Sequence, residues 1–447
     1  MKVSKYNFYI KNENNIITFN SLTQRILITD YFNPTDKGML KYCKNKENQL
    51  LFRKNGMLIP FYRNQKKELK NKIKTSTYPQ DMYVRILLSY KCNFKCSYCY
   101  ESLDDHNPSF LFEQDGEQKV KNFLLKYCKT RKIKTLIISW YGGEPFLFYK
   151  DIIKFSNNIK LSLSKYSINY EAEIITNGSF EGNEKCWFQL ANCGIKKIIF
   201  SIDGFRESHN MNRPYIFPNN KNQYEILLHN AKNWSKYGKS VLSIMLRNIN
   251  ISEYKKIIND IKNKVGLRNT SIFLGKLSDI NNNLSSMIKK SFLSHRHFIE
   301  YKLNLYSYAS NLGFNVEPYR FLPFFNGCVE MLESGYSITP NGDIYKCHES
   351  ICNKKYIVSN ISEYNNILRQ NHKVFPSPYT DSFCKKCRLL PICKGGCPKR
   401  YFERKRHICL FRTTDGYNFL NKRYKSIFES SIKSYLYHMK KKENNEL

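Results

Sequence analysis

The stretch VRILLSYKCNFKCSYCYE, residues 84–101, joins an apolar run typical of a buried strand to a loop that carries three cysteines. Three residues separate Cys92 from Cys96, and two separate Cys96 from Cys99. Three thiolates on one short loop can hold three irons of a [4Fe–4S] cube and leave the fourth iron open. The alternatives are a zinc site or three unrelated thiols. We expect the cluster, because the loop follows the carboxyl end of a predicted strand.

From residue 83 onward, apolar runs alternate with stretches of helical periodicity. The runs read as strands are VRILLS, KTLIISW, EAEIITN, KKIIFSI, SVLSIML and TSIFLG. The helical stretches include QKVKNFLLKYCK, DIIKFSNNIKLSL, NQYEILLHNAKNW and SEYKKIINDIKNK. Six such units predict an α/β fold whose parallel sheet is either open or a partial barrel. We expect its chemistry on the loops that follow the carboxyl ends of the strands.

Two further regions flank this one. In residues 1–80, the runs KYNFYI, NNIITFN and QRILITDYF are aromatic and β-branched and lie between turn residues, which indicates a small antiparallel sheet with helices. In residues 320–435, periodicity fades and cysteines become dense, which is typical of a fold held together by metal, before an amphipathic C-terminal helix. The predicted domains are therefore 1–80 (α+β), 83–315 (α/β) and 320–435 (cysteine-rich).

The composition is that of a folded protein. The chain has 447 residues, of which 41% are hydrophobic, 25% charged and 15% aromatic, which excludes a disordered chain. No apolar stretch approaches the roughly 20 residues needed to span a bilayer, and the start lacks the apolar segment of a signal peptide. We therefore expect a cytoplasmic protein. Because disulfides are rare in that compartment, the 15 cysteines are read mainly as candidates for metal or cluster ligation.

The formal net charge of +36 raises the question of a nucleic-acid partner. The basic residues are spread over the whole chain, together with abundant Asn, Ile and Tyr, rather than confined to one block. We therefore favour a compositional bias over a nucleic-acid-binding surface. Acidic protein partners should still associate faster with such a surface.

The cysteine loop and the later strand ends together resemble the radical S-adenosylmethionine (SAM) superfamily. The second strand ends in YGGEP, similar to the family's GGEP loop, and the third and fourth end in TNG and SIDG. Each loop alone could be a helix cap or a turn, but their order on successive strand ends favours the family. The matching positions are Tyr98, Gly142, Gly143, Glu144, Pro145, Thr176, Asn177, Gly178, Ser201, Asp203, Gly204, His209 and Arg213.

The resemblance implies a fold and a set of cofactor contacts. Relatives build a partial (β/α)6 TIM-like barrel, and their open iron chelates the amino and carboxylate groups of SAM. Reduction of the cluster would split SAM into methionine and a 5′-deoxyadenosyl radical, which abstracts hydrogen from carbon. The GGEP loop, including Glu144, is implied to receive the methionyl amino group. The TNG loop, the SIDG loop and Arg213 are implied to contact the ribose and the carboxylate of SAM.

The third region resembles the seven-cysteine SPASM pattern of the same superfamily. The implied ligands of auxiliary cluster I are Cys328, Cys347 and Cys397. Those of auxiliary cluster II are Cys384, Cys387, Cys393 and Cys409. Both would be [4Fe–4S] clusters, and zinc is the alternative because CxxC pairs commonly hold it.

Auxiliary cluster I is left one ligand short. Relatives with eight cysteines place a further ligand where this chain has Ser334, which binds iron poorly beside thiolates. Two hypotheses follow. Either one iron stays open and binds a substrate thiolate, or Cys352, His348 or Glu349 closes the site and the cluster only conducts electrons.

Relatives with SPASM regions mostly modify peptides or proteins. The resemblance therefore implies an oxidoreductase that installs a thioether or carbon–carbon crosslink in a ribosomally synthesised precursor peptide. A flavodoxin or ferredoxin would supply electrons. Residues 1–80 are similar to the small winged domain with which peptide maturases grip a leader peptide by strand addition, although a plain structural cap is the alternative.

Two other functions remain as alternatives. The segments GDIYKCHE and GGCPKRYF suggest an anaerobic sulfatase-maturating type, which oxidises Cys or Ser to formylglycine. Those relatives carry an acidic base where this chain has His348, and they begin almost at the cluster loop. A non-enzymatic iron–sulfur regulator that binds nucleic acid is favoured only by the charge, and it predicts no cleavage of SAM.

Overall fold

The computed structural model describes most of the chain. It describes residues 1–12, 14–76, 80–99, 101, 115–217, 221–277, 279, 284–314, 332–351, 353–364, 384–388, 390–393, 395 and 397–404. The predicted ligands Cys328 and Cys409 and the candidate ligand Cys352 lie outside these residues. Cys393 is described only by its place in a helix.

Residues 1–76 form two small sheets and three helices. In chain order the elements are β1 (Lys2–Val3), β2 (Asn7–Asn12), β3 (Asn15–Asn20), β4 (Arg25–Asp30), α1 (Asp36–Tyr42), α2 (Lys46–Lys54), β5 (Leu58–Ile59) and α3 (Gln65–Ser76). The three aromatic and β-branched runs become β2, β3 and β4, which pair antiparallel in that order, while β1 pairs with β5. A core that includes Ile16, Phe32, Met39 and Phe52 holds this sheet against α1 and α2.

Six parallel strands form the central sheet. They are β6 (Asp81–Leu87), β7 (Thr135–Tyr141), β8 (Asn169–Thr176), β9 (Ile195–Ile202), β10 (Lys239–Leu246) and β11 (Thr270–Lys276). Each strand pairs in parallel with the next one along the chain. All six apolar runs of the sequence are these strands, so the predicted parallel α/β core is confirmed.

Among the described residues, six helices connect the parallel strands and two more follow β11. They are α4 (Gly116–Thr130), α5 (Tyr149–Ser164), α6 (Glu184–Asn192), α7 (Glu207–Asn212), α8 (Gln223–Ser235), α9 (Ile251–Lys264), α10 (Ser286–Lys290) and α11 (His295–Asn311). Asn183, Asn222 and Asn250 cap α6, α8 and α9, each accepting a backbone N–H with its side chain. The three tryptophans, Trp140, Trp187 and Trp234, are fully buried.

Three short strands from the cysteine-rich region extend the same sheet. They are β12 (Gly335–Ile338), β13 (Asp343–Tyr345) and β14 (Ile357–Asn360). β12 pairs in parallel with β6, and β13 and β14 follow antiparallel, so that nine strands share one sheet. This pairing satisfies backbone groups on β6 that an edge strand would leave exposed.

Ser334 takes part in this junction. Its hydroxyl donates to the carbonyl of Asp81 at 2.8 Å, and its own carbonyl accepts from the amide of Tyr83 at 3.0 Å. Ser334 therefore has a structural partner at the start of β6, at the position where relatives were expected to carry an extra cluster ligand.

The chain divides into two compact units. One contains residues 1–78, 318–332 and 375–447, and the other contains residues 79–317 and 333–374. Within the first unit the structure also describes α12 (Leu390–Cys393) and α13 (Pro398–Arg404). The cysteine-rich region thus contributes to both units, whereas the sequence predicts it as one domain. The boundaries 1–80, 83–315 and 320–435 stay predictions.

No helix among the described residues is long and apolar enough to cross a membrane.

Candidate active site at the carboxyl end of the parallel sheet

The cysteine loop follows β6, and backbone hydrogen bonds to a second loop hold it in place. The amide of Lys95 donates to the carbonyl of Pro214 at 2.8 Å, and the amide of Ile216 donates to the carbonyl of Asn93 at 2.9 Å. Phe94 is buried, and its ring contacts the ring of Tyr215 edge to face, with centroids 4.7 Å apart. These contacts fix the loop before any cofactor binds.

The three thiols Cys92, Cys96 and Cys99 are half-buried on this loop. Burial raises the pKa of Cys92 and of Cys99 to about 12, and nearby carboxylates act in the same direction. Iron must therefore displace thiol protons when it binds. Among the described residues no three Cys, His, Asp or Glu side chains are grouped as a site for a single metal ion. Cluster ligation by the loop stays a prediction.

The surroundings of Cys92 fit a cluster sulfur. The amide of Phe94 donates to Cys92 Sγ at 3.4 Å, and the side-chain amide of Asn177 lies 4.0 Å from the same sulfur. Hydrogen bonds to the sulfurs are one of the factors that set the properties of iron–sulfur clusters. Asn177 also donates to Asn93 Oδ1 at 2.8 Å, so the TNG loop directly contacts the cysteine loop.

The Gly-Gly turn after β7 packs closely against the cysteine loop. Gly142 and Gly143 have φ values of +87° and +47°, and a Cβ on Gly143 would lie 1.9 Å from the carbonyl oxygen of Lys91. The amide of Glu144 donates to that same carbonyl at 2.9 Å. Gly143 is therefore required for close approach as well as for backbone conformation.

Replacing Gly143 with alanine should unfold the turn or push the cysteine loop away. We expect about 1–2 kcal/mol of backbone strain from the positive φ and about 1–3 kcal/mol of overpacking, with less iron bound per chain. The matched control is Gly266→Ala, which also has a positive φ, of +94°, but meets no atom within 4 Å. Urea unfolding and iron analysis measure both effects. Equal losses of stability in the two variants would contradict the close packing.

Glu101 was missed by the sequence reasoning, although it lies within the opening motif. Its buried carboxylate accepts the amide of Gly143 at 2.7 Å and so links the end of the cysteine loop to the Gly-Gly turn. Burial raises the pKa of Glu101 to about 7, against the opposing effect of this hydrogen bond. Only its position, two residues after Cys99, could have indicated it.

The carboxylate of Glu144 links its own turn to the TNG loop through hydrogen bonds. One carboxylate oxygen accepts the amide of Phe146 at 2.9 Å and the hydroxyl of Thr176 at 2.7 Å, and the other accepts the amide of Asn177 at 2.7 Å. Pro145, in the same turn, is buried and begins the short 3-10 helix Pro145–Phe148. Both oxygens of Glu144 thus already serve protein donors. That Glu144 also receives the amino group of SAM stays a prediction.

Asp203 and Arg247 form a buried ion pair after β9 and β10. Arg247 Nε and Nη2 donate to the two carboxylate oxygens of Asp203 at 2.8 and 2.6 Å. The guanidinium of Arg247 lies 4.8 Å from the ring centroid of Tyr98 on the cysteine loop. The sequence reasoning missed Arg247, whose available signal was its place directly after a strand.

Arg213 also contacts Tyr98, through a hydrogen bond. Its Nη1 donates to the hydroxyl of Tyr98 at 2.9 Å, and among the described residues its buried Nε has no hydrogen-bond partner. Such an orphaned N–H can donate a hydrogen bond to an anionic group such as a carboxylate. Ser201, near the end of β9, is half-buried.

His209 is a structural residue of the same loop. Its Nδ1 accepts the amide of Asp203 at 3.1 Å, and burial lowers its pKa to about 3. The ring is therefore neutral at physiological pH and helps to fix the loop that carries Asp203.

The other cysteines divide between the two compact units. Cys347 is buried in the unit of the parallel sheet and precedes the 3-10 helix His348–Ser350. Cys384, Cys387 and Cys397 are half-buried in the other unit. Outside these motifs, Cys43, Cys128 and Cys193 are buried and Cys186 is half-buried.

Cys92, Cys96 and Cys99 thus lie at the carboxyl end of a parallel sheet, where α/β enzymes carry their active sites. The family model of the radical SAM superfamily matches residues 86–261. The chain therefore contains a radical SAM domain, which belongs to a superfamily of enzymes, and this superfamily implies SAM and a [4Fe–4S] cluster as cofactors.

Three curated relatives match this chain over different lengths. The GTP 3′,8-cyclase of Campylobacter lari is 30% identical over 130 residues, which are 28% of this chain and 35% of that protein. The serine-type anaerobic sulfatase-maturating enzyme of Bacteroides thetaiotaomicron is 23% identical over 420 residues, 79% of this chain and 90% of that one. The radical SAM cyclopropyl synthase TigE of Paramaledivibacter caminithermalis is 24% identical over 398 residues, 83% and 76% of the two chains. The match thus spans about a third of the cyclase but most of the other two proteins.

A solved structure shares the fold. Native anSMEcpe with bound AdoMet and Cp18Cys peptide superposes with a TM-score of 0.58 at 16% identity, over 79% of this chain and 99% of that one.

Proposed function

We propose that this enzyme is a radical SAM peptide maturase that installs a thioether or carbon–carbon crosslink in a ribosomally synthesised peptide. The observation that carries the proposal is the contact of three loops, those of Asn177, Gly143 and Tyr215, with the cysteine loop at one end of the sheet. This is where an α/β enzyme holds its cofactor.

The residues of this site have separable roles. Cys92, Cys96 and Cys99 would hold the cluster, and Arg213 would pair with the carboxylate of SAM through its unpartnered Nε. Cluster and SAM, when bound, supply a 5′-deoxyadenosyl radical that takes hydrogen from carbon. Glu101 and Glu144 fix the turn and the TNG loop against the cysteine loop, and the Asp203–Arg247 pair positions Tyr98.

Two findings favour a peptide as substrate, and a third favours the formation of a carbon–carbon bond. The sulfatase-maturating relative matches over most of its length, and the fold neighbour was solved with a peptide beside AdoMet. The synthase relative is named for forming a cyclopropyl group, which requires a new carbon–carbon bond. A flavodoxin or ferredoxin as electron donor is proposed from the family resemblance, and an acidic donor would be attracted by the charge of +36.

The small antiparallel sheet offers an edge for a leader peptide. Arg388 donates to the carbonyl of Asn7 on β2 at 3.2 Å, so that edge of the sheet is partly occupied. β4 is the other edge strand among the described residues, and Ile28 on it is 43% exposed. An extended peptide could pair with β4 through main-chain hydrogen bonds.

Replacing Ile28 with aspartate should weaken this docking without touching the radical chemistry. With a precursor peptide encoded beside the gene, we expect KM to rise about tenfold, equivalent to about 1.4 kcal/mol, at an unchanged kcat. The matched control is Leu161→Asp, an exposed leucine on α5. Amide exchange over Arg25–Asp30 should slow when the peptide is added. Unchanged KM and unchanged exchange would exclude β4 as the docking strand.

Sulfatase maturation remains the second candidate, because the maturase of B. thetaiotaomicron matches 79% of this chain. Against it, His348 follows Cys347 at the position where those relatives are expected to carry an acid. Incubation with a sulfatase-derived Cys or Ser peptide distinguishes the two functions. Formylglycine is an aldehyde that a hydrazide captures, whereas a crosslinked peptide gives no such adduct.

A further inference from the structure

The turn that carries Cys384 and Cys387 packs against the N-terminal part of its own compact unit. Both cysteines contact a cluster of buried side chains formed by Tyr6, Leu22, Leu69 and Leu390. Within the turn, the amide of Cys387 donates to the carbonyl of Cys384 at 3.0 Å. Cys384 begins a short 3-10 helix, Cys384–Lys386, and Cys387 follows it directly, with apolar support that comes largely from residues 6–69.

Hydrogen bonds fix the turn to the small sheet as well. Ser21 Oγ donates to the carbonyl of Arg388 at 2.6 Å, and Arg388 Nη1 donates to the carbonyl of Asn7 at 3.2 Å. Arg388 Nη2 lies 3.6 Å from a carboxylate oxygen of Asp36. The position of Cys387 relative to the N-terminal residues is therefore defined by polar contacts and by packing.

Two polar side chains of the N-terminal segment lie beside this turn. Tyr6 is 0% exposed, and among the described residues its buried hydroxyl has no hydrogen-bond partner. The ammonium of Lys5 lies 4.5 Å from the centroid of the Tyr6 ring. Burial lowers the pKa of Lys5 and raises that of Tyr6 to about 12, and a negative charge on the sulfur of Cys387 acts to raise both pKa values. An unpartnered buried hydroxyl is costly unless something absent from the apo chain accepts its hydrogen bond.

We propose that Tyr6 and Lys5 set the reduction potential of the auxiliary cluster held by Cys384 and Cys387. The inference rests on the proposed function and on the auxiliary cluster that the SPASM resemblance implies for these cysteines. The Tyr6 hydroxyl donates a hydrogen bond to a cluster or cysteine sulfur, and the Lys5 ammonium adds a positive charge nearby. Both interactions stabilise the reduced, more negative cluster and so raise its potential. The N-terminal segment thereby becomes part of the electron-transfer machinery as well as a candidate leader-binding surface.

The test uses the full-length chain with Cys92, Cys96 and Cys99 replaced by alanine, so that only auxiliary clusters give a signal. Tyr6→Phe and Lys5→Gln are introduced singly and together, and the potentials are titrated by electron paramagnetic resonance. We expect one of the two signals to move to a lower potential in each variant, further in the double variant, while the other stays. A tenfold change in the oxidised-to-reduced ratio at fixed ambient potential corresponds to about 59 mV for one electron.

Matched controls come from exposed residues of the same unit. Tyr62→Phe removes a hydroxyl from a tyrosine that is 90% exposed, and Lys41→Gln removes an exposed charge. Neither substitution should change the reduction potential of an auxiliary cluster. In the apo chain, Tyr6→Phe should unfold no more easily than the parent, because the lost hydroxyl has no partner there.

The outcomes distinguish a failure of this inference from a failure of the cluster assignment. Two auxiliary signals whose potentials are the same in Tyr6→Phe, Lys5→Gln and the parent would overturn this inference and leave the proposed function intact. Loss of one cluster's iron in these variants would also overturn it, since the residues would then be needed for assembly. A parent chain without any auxiliary signal would overturn the cluster assignment and this inference together.

Discussion

Replacing Cys92, Cys96 and Cys99 together with alanine should reduce 5′-deoxyadenosine formation to the level of SAM without enzyme. The three thiols are the ligands that the radical SAM family implies, and without them no iron is left for SAM to bind. The measurement is chromatographic detection of 5′-deoxyadenosine after strong reduction under anaerobic conditions. Cys186→Ala is the matched control, because Cys186 is also half-buried in the same compact unit. It should retain full cleavage.

The result that contradicts this expectation is 5′-deoxyadenosine from the triple variant at a rate comparable with the control. Circular dichroism of both apo proteins should coincide, because the loop is fixed by backbone contacts with residues 214–216 rather than by its thiols. Coincident spectra therefore assign a loss of cleavage to the ligands and not to the fold.

Replacing Arg247 with methionine should destabilise the unit of the parallel sheet by about 3–5 kcal/mol, because it leaves Asp203 charged and buried without its partner. Asp203 is 0% exposed and receives both hydrogen bonds of the guanidinium. Urea unfolding followed by tryptophan fluorescence measures the change, since Trp140, Trp187 and Trp234 are all buried in this unit. Adding Asp203→Asn should recover part of the loss.

An exposed ion pair supplies the control for this measurement. Lys256 and Glu253 lie 2.7 Å apart, with side chains that are 55% and 35% exposed. Lys256→Met should change the free energy of unfolding by about 0–1 kcal/mol. If Arg247→Met costs no more than Lys256→Met, the Asp203–Arg247 pair does not hold the site together.

The sequence predicted the parallel sheet well because each strand is a run of apolar residues buried by helices. VRILLS and KTLIISW carry enough β-branched and aliphatic residues to specify their strands locally. Such strands depend on residues that are neighbours along the chain. The loops after them were expected from the family resemblance, whereas the close approach of Gly143 to Lys91, which is distant in the sequence, was not predicted.

Long-range partners were not predictable in the same way. β12, only four residues long, carries no periodicity that could show its pairing with β6. Arg247 and Asp203 meet because β9 and β10 are adjacent in the sheet, and Tyr6 meets the Cys384–Cys387 turn from the far end of the chain. These contacts are set by tertiary packing, and one sequence alone does not show which of these residues meet.

The most direct test of the proposed function follows a hydrogen atom from peptide to cofactor. A precursor peptide deuterated at its side-chain carbons is incubated with the reduced, SAM-loaded enzyme, and both products are examined by mass spectrometry. We expect deuterium in 5′-deoxyadenosine and a peptide that has lost two hydrogens and gives no hydrazide adduct. Unlabelled 5′-deoxyadenosine together with an unchanged peptide would contradict it, provided that the same preparation cleaves SAM.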